Sequence, residues 1–337
     1  MRIARPALFA VASLAAASAS AQVVLTASSW LPPSHSLTET QKEWCGLLEQ
    51  KTGGKIKCNL LPRGVAAPPA TFDAVRNGLA DISFTVHGYT PGRFVTTQMA
   101  EFPFLGNTSE PISVAFNKVA MKYPQFQTEH QGVKVISYFT HGPGIAFNTK
   151  RPVTNVAELG GLKWRVGGGM VNEISKVLGM NVTLKPAPES YELLSGGVMD
   201  GTLFPAESTE SFRIDKIIKH ATTFPGGLYN TSFVFMMNQA KYDKLTADEK
   251  KAVDAISGDV AARMFGRGWD RVDRRSMGLM QANNVPIVKA DASFVAEVKA
   301  KTAPLEQKWV KEAEAKGLKD AAKVLAEFRA EIARQEK

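Results

Sequence analysis

The chain has 337 residues, 44% hydrophobic and 22% charged, a globular balance whose length suits two lobes of ordinary domain size. The formal net charge is +9, and about +7 once the two arginines of residues 1–21 are discounted; this mildly basic surface either favours anionic ligands or serves solubility alone. The basic residues are dispersed among acids, as in "KLTADEKKAVDA" (244–255), and form no stripe interleaved with aromatics, which argues against a nucleic-acid partner.

The first residues read as a secretory leader. "MRIARPALFAVASLAAASASAQ" has a basic start at Arg2 and Arg5, an apolar run from Ala7 to Ala17, and a small-residue site ending at Ala21. The apolar run is too short to span a bilayer. No cysteine follows the expected cleavage point, so a free soluble protein is expected. Residues 23–29, "VVLTASS", then read as a buried strand. Residues 36–51 read as an amphipathic helix with Leu37, Trp44, Leu47 and Leu48 on its apolar side. "GGKIKCNLLP" is a turn, a strand and a stop. "ATFDAVRNGLADISFTV" is a helix with Phe72, Val75 and Leu79 inward, followed by a strand from Asp81. This β-α-β-α-β run predicts a mostly parallel sheet covered by helices. The only two cysteines, Cys45 and Cys58, fall on the helix and the strand after it. They either pair as a disulfide or stay as separate buried thiols; with no histidine at ligand spacing they make no zinc site.

"VKVISYFTHGPGIAFNTK" (133–150) is a strand, a His-Gly-Pro-Gly turn and a second extended run, a plausible crossing between lobes. A similar unit follows. "LKWRV" is a strand, "MVNEISKVLG" a helix stopped by Gly179, "NVTL" a strand, "PESYELLSGG" a short helix and "VMDGTLF" a strand. "VRNGLADIS" (75–83) and "LSGGVMDGT" (194–202) echo each other faintly, which favours two lobes of one plan. A second crossing is expected near "GGLYNTSFVFMMN" (226–238). Thr246 then opens a helix through a capping box to Glu249. Its pattern runs to about Asn283, with a bend expected near Gly258 or Gly266. The strand "VPIVKA" and further helices finish the chain. The expected division is 22–142 plus about 230–268 for one lobe, and 143–229 plus about 269–337 for the other.

Enzyme signatures are mostly missing. No G-x-x-x-x-G-K-[ST] is present, and "GGG" at 167–169 fails the dinucleotide fingerprint because Asn172 stands at the third glycine's place. There is no G-x-S-x-G and no H-E-x-x-H, and the five histidines are scattered. No catalytic residue, metal or cofactor is therefore expected. A secreted enzyme using the same cleft is the rival reading, and it needs a nucleophile or a base beside the ligand. Arg165 stands at the carboxyl end of "LKWRV", where ligands of α/β sheets bind, and it faces away from Leu162, Trp164 and Val166. Its planar fork can hold a carboxylate through two parallel hydrogen bonds. The glycines after it give backbone room and offer N–H groups at the start of the next helix. The plainer alternative is a structural ion pair.

These segments resemble a known family. "RPVTNVAELGGLKWRV" (151–166) and "LSGGVMDGTLFP" (194–205) look like signatures of the solute receptors of tripartite ATP-independent periplasmic (TRAP) transporters, the DctP family. "VRNGLADISF", "GRFVTTQMAEFPFLG" and "YDKLTADEKKAV" fit in order, so the resemblance spans nearly all of the chain after the leader. It implies a type II-like periplasmic binding protein fold: two α/β lobes joined by crossing strands and a long helix in the C-terminal half. It also implies a periplasmic location, one organic acid bound as lobes close, and delivery to membrane permease subunits; a monomer is expected. The signature arginine falls on Arg165. A second arginine of sialic-acid binders is replaced by Ile145, and a frequent asparagine by Phe204. Both replacements point to a small monocarboxylate with an apolar, cyclic or aromatic body, with C4-dicarboxylates the alternative.

Loop positions at strand ends add candidates: Trp30 and His35 after the first strand, His87 and Tyr89 after "DISFTV", His141 at the first crossing and Tyr229 at the second. Trp30 and Tyr229 equally suit core packing, and the histidines equally suit loop caps. Glu207 either hydrogen-bonds a ligand hydroxyl or holds Arg165. Arg93 is expected to be structural.

Overall fold

The computed structural model describes residues 22–337; the expected leader lies outside them. In chain order the strands are β1 (Val23–Ala27), β2 (Ile56–Leu60), β3 (Ile82–Val86), β4 (Val133–Thr140), β5 (Ile145–Asn148), β6 (Lys163–Val166), β7 (Asn181–Leu184), β8 (Gly201–Phe204), β9 (His220–Thr223), β10 (Ser232–Asn238) and β11 (Ile287–Lys289). They form two sheets, ordered β2-β1-β3-β10-β4 and β11-β9-β5-β8-β6-β7. Each sheet carries one intruding strand from the far side of a crossing. β10 runs antiparallel between β3 and β4, and β5 runs antiparallel between β8 and β9. Apart from β11, the second sheet repeats the strand plan of the first.

The faint sequence echo is a structural equivalence. Gly78 and Gly197 both adopt positive φ, 79° and 67°, which turns the chain out of a short helix into the third strand of each sheet. Asp81 then accepts from the backbone N–H of Thr26 on β1 at 2.7 Å, and Asp200 from that of Lys163 at the start of β6 at 2.9 Å. The turn also decides one expectation. The helix Thr71–Arg76 ends before Gly78, so Leu79 is not on its inward face and is 58% exposed.

The helix Ser36–Lys51 buries Leu37, Trp44 and Leu48 against the first sheet, and the Cys45–Cys58 disulfide ties it to β2. Trp44 Nε1 donates to the Ile256 carbonyl at 2.9 Å, which satisfies its one polar atom in the core. The capping box at Thr246 and Glu249 forms as expected. The long helix Asp259–Ala282 starts at Gly258, whose φ is 61°, and continues through Gly266. A Cβ on Gly266 would come within 2.5 Å of Glu110 Cα, so that glycine serves close helix packing. Asp270 of the long helix accepts from the N–H groups of Ser109 and Glu110, at 2.5 and 3.0 Å, capping the helix Ser109–Lys122.

The C-terminal helix Ala321–Gln335 does not follow the expected division. It packs on Ser109–Lys122, with Phe328 against Phe116 (6.2 Å between centroids) and Glu327 accepting from the Tyr123 hydroxyl at 2.6 Å. It therefore lies on the side of the first sheet. The helix Ala292–Ala315 touches both sides, through Phe294 against Phe224 and Trp309 Nε1 donating to the Val95 carbonyl at 2.9 Å. The two crossings pair with each other: Gly144 N donates to Tyr229 O, and Leu228 N to Gly144 O, both at 3.0 Å. Among the described residues no helix is long and apolar enough to cross a membrane.

Candidate ligand-binding site

β6 lies between β7 and β8, with Arg165 opposite Thr202. Trp164 and Val166 point into the core on one face, and Gly201 leaves space for the Trp164 ring, since a Cβ there would meet Trp164 Cζ3 at 2.5 Å. Phe204 lies two residues beyond Thr202, on the face that Arg165 takes. The Arg165 guanidinium stands 4.5 Å over the Phe204 ring, and its Nε–H donates to the Lys185 carbonyl at 2.8 Å. Arg165 is only 2% exposed. Among the described residues no carboxylate forms an ion pair with it; Glu189 exerts a Coulombic pull but is itself paired with Lys185 at 3.1 Å. Burial pulls the Arg165 pKa down, and the nearby phenols of Tyr89 and Tyr229 oppose this. A buried cation without a counter-charge costs several kcal/mol, and an arriving carboxylate offsets that cost.

An aromatic cavity surrounds this group. Trp30, Tyr89, Phe204 and Tyr229 line it, together with His35, His141 and Arg165. Trp30 is held by Nε1 donating to the Phe84 carbonyl at 2.9 Å and by edge contact with Tyr89, 5.6 Å between centroids. The Tyr89 hydroxyl accepts from Ala187 N at 3.0 Å, and burial raises its pKa. Phe204 stacks on Phe212 at 5.4 Å. Burial holds the His141 pKa down at about 4, so the ring is neutral at pH 7.

Two candidates sit elsewhere. His87 is buried behind the cavity, in the first lobe, with Nε2 2.9 Å from His130 Nε2 and Nδ1 2.8 Å from Ser232 Oγ. Its strand, β3, is buried on both faces, so the residue after it turned into the core instead of the cleft. Glu207 does not touch Arg165 and does not line the cavity. It accepts from the hydroxyls of Ser36 and Ser211, at 2.9 and 2.6 Å, and lies 3.3 Å from His35 Nδ1. It also accepts from Ser36 N at 3.3 Å, and so holds the start of the helix Ser36–Lys51. Arg93 is structural, paired with Asp73 at 2.9 Å and packed 4.0 Å over the Phe72 ring.

The N–H groups after the glycines are also spent differently from the expectation. The start of the helix Met170–Val177 faces a protein carboxylate: Glu101 Oε2 accepts from Met170 N at 2.8 Å. Glu101 is fully buried, and its Oε1 takes the Ser232 hydroxyl at 2.6 Å. Desolvation pushes its pKa up. Gly88 of the first lobe touches Gly168 of the second so closely that a Cβ on Gly88 would lie 2.7 Å from the Gly168 carbonyl carbon. The glycines thus let the lobes close on each other, and Glu101 bridges them.

The sequence model of bacterial extracellular solute-binding protein family 7, DctP, matches residues 27–313. The chain belongs to the DctP family. Its DctP fold superposes on several solved receptors. A TRAP periplasmic solute-binding protein from Bordetella bronchiseptica, with bound (R)- and (S)-mandelate, is 42% identical, covering 93% of this chain and 99% of that one with a TM-score of 0.90. A TRAP solute-binding protein of an unidentified marine-metagenome microbe, in complex with 3-hydroxybenzoate, is 31% identical over 94% of this chain and 99% of that one, with a TM-score of 0.87. One from Rhodoferax ferrireducens, in complex with copurified benzoate, is 27% identical with the same coverage and the same TM-score.

In this DctP chain the two departures from the family pattern are cross-strand partners, Ile145 on β5 opposite Phe204 on β8. Phe204 lines the cavity; Ile145 lines a neighbouring groove instead. Sequence reasoning missed Trp269, Phe212, Phe233, Thr231 and Ser208, all of which line the cavity. Trp269 carried the best available signal, a tryptophan on the inward face of the long helix, but periodicity alone does not separate cavity wall from core.

Proposed function

We propose that this protein is the periplasmic receptor of a TRAP transporter, and that it binds a small aromatic monocarboxylate through Arg165 and hands it to membrane permease subunits. The observation that carries the proposal is the buried Arg165 guanidinium, without an acidic partner, at the floor of an aromatic cavity between the lobes. Membership in the DctP family and the aromatic acids in the three related receptors support this reading. One arginine anchors one carboxylate. The Phe204 ring beneath it and the tryptophan and phenylalanine walls suit a flat apolar body. A second carboxylate would face those rings with no second cation, which weighs against C4-dicarboxylates.

The receptor reaches the periplasm by cleavage after Ala21 and performs no chemistry on its ligand. A thermal-shift screen tests the ligand class, because binding to the native state alone raises stability by about 2.7 kcal/mol at a ligand concentration one hundred times Kd. Benzoate, mandelate and phenylacetate are expected to raise Tm, and succinate, malate and sialic acid are not. Stabilisation by dicarboxylates alone would overturn the ligand class. Mass spectrometry of the released compound is expected to return it intact; turnover would favour an enzyme.

A further inference from the structure

Two polar atoms in the cavity wall are buried without partners. The first is His141 Nε2. His141 Nδ1 lies 2.5 Å from the carbonyl oxygen of Gly142. A carbonyl only accepts, so Nδ1 carries the proton and the neutral ring presents Nε2 as a bare acceptor. The second is Trp269 Nε1, which can only donate. Both rings line the same cavity as Arg165, with centroids 5.9 Å apart and planes inclined at 68°. Elsewhere in this wall, Trp30 Nε1 donates to Phe84 O, and the Tyr89 oxygen accepts from Ala187 N.

An unpaired buried acceptor beside an unpaired buried donor sets a demand on whatever fills the space. A carboxylate has no proton for His141 Nε2. An ammonium has no lone pair for the Trp269 N–H. A hydrocarbon edge leaves both unmet. A hydroxyl both donates and accepts, and it satisfies the two together. We propose that His141 and Trp269 form a hydroxyl subsite, so that the preferred ligand is a hydroxylated aromatic monocarboxylate. Its carboxylate sits on Arg165, and its hydroxyl donates to His141 Nε2 while accepting from Trp269 Nε1–H. This rests on the receptor function proposed above and narrows its ligand. Related receptors hold both hydroxylated and plain aromatic acids, so the distinction belongs to the residues of this chain.

Isothermal titration calorimetry tests it with matched pairs: phenylacetate against each mandelate enantiomer, and benzoate against 2-, 3- and 4-hydroxybenzoate. At least one hydroxy acid is expected to bind at least about tenfold more tightly than its parent, since a site built to bond a hydroxyl discriminates against the analogue lacking it. The variants His141→Phe and Trp269→Phe keep a ring in place and remove the acceptor or the donor. Each is expected to bring the hydroxy-to-parent ratio close to one while the parent acid still binds. Trp269→Phe keeps the test open if His141→Phe does not fold, which melting curves report. Equal affinities within every pair, or a ratio that survives both substitutions, would overturn the subsite and leave the receptor function standing. Failure of every aromatic acid to bind the unaltered protein would overturn both.

Discussion

His130 and His141 are buried rings whose surroundings hold each pKa down at about 4. Desolvation is the largest cause in both, so the unfolded chain binds more protons than the native one between about pH 4 and 6.5. Stability from these rings is therefore fully present above pH 6.5 and is lost as pH falls toward 4. The slope is at most about 1.4 kcal/mol per pH unit for each ring. Glu101 and Asp273 act with the opposite sign, because burial raises both pKa values and favours their protonated native forms at low pH. Denaturant melts from pH 7 to 4 are expected to show a flatter loss of stability in His130→Phe than in the unaltered protein; an unchanged slope would contradict the assignment. At this scale the sequence exposed Arg165 and Phe204 because strand alternation fixes a side chain's face. It hid the Glu101 contact at Met170, because a bond between residues 69 positions apart leaves no local pattern.

The crossings and the glycine contacts join the two lobes. Gly88 does not have a positive φ, so an alanine is tolerated by its own backbone, but its Cβ would collide with the Gly168 carbonyl. Gly88→Ala is expected to keep the lobes apart. Small-angle scattering with saturating ligand is expected to show a larger radius of gyration, and affinity is expected to fall at least about tenfold, while the ligand-free melting temperature changes little. Native affinity with full compaction would contradict this role. The order of elements was legible because a β-α-β run with short loops has few allowed topologies. The break in the helical pattern was legible only as a choice between two glycines. Gly258 won because it alone of the two adopts positive φ, while Gly266 sits where a neighbouring helix approaches. The place of Ala321–Gln335 was not legible, since an amphipathic face does not name the surface it covers.

The whole molecule is two α/β lobes of one plan, closed over a cavity that combines a buried cation with aromatic walls. The disulfide within the first lobe closes a short loop, 13 residues apart in sequence. In the chain-entropy account such a loop contributes about 3 kcal/mol. Cys45→Ser with Cys58→Ser is expected to lower stability by about that amount in denaturant titration while leaving ligand affinity unchanged, since neither residue lines the cavity; a loss of affinity in a folded variant would contradict the separation of fold from site. The central claim is that one buried arginine binds the ligand's carboxylate. Its most direct test is calorimetric titration of a stabilising aromatic acid into the unaltered protein, Arg165→Ala and Arg165→Lys. A loss of at least about 1.5–3 kcal/mol is expected for the alanine variant, and incomplete recovery for lysine, which lacks the planar fork. Near-native affinity in folded Arg165→Ala would contradict the account.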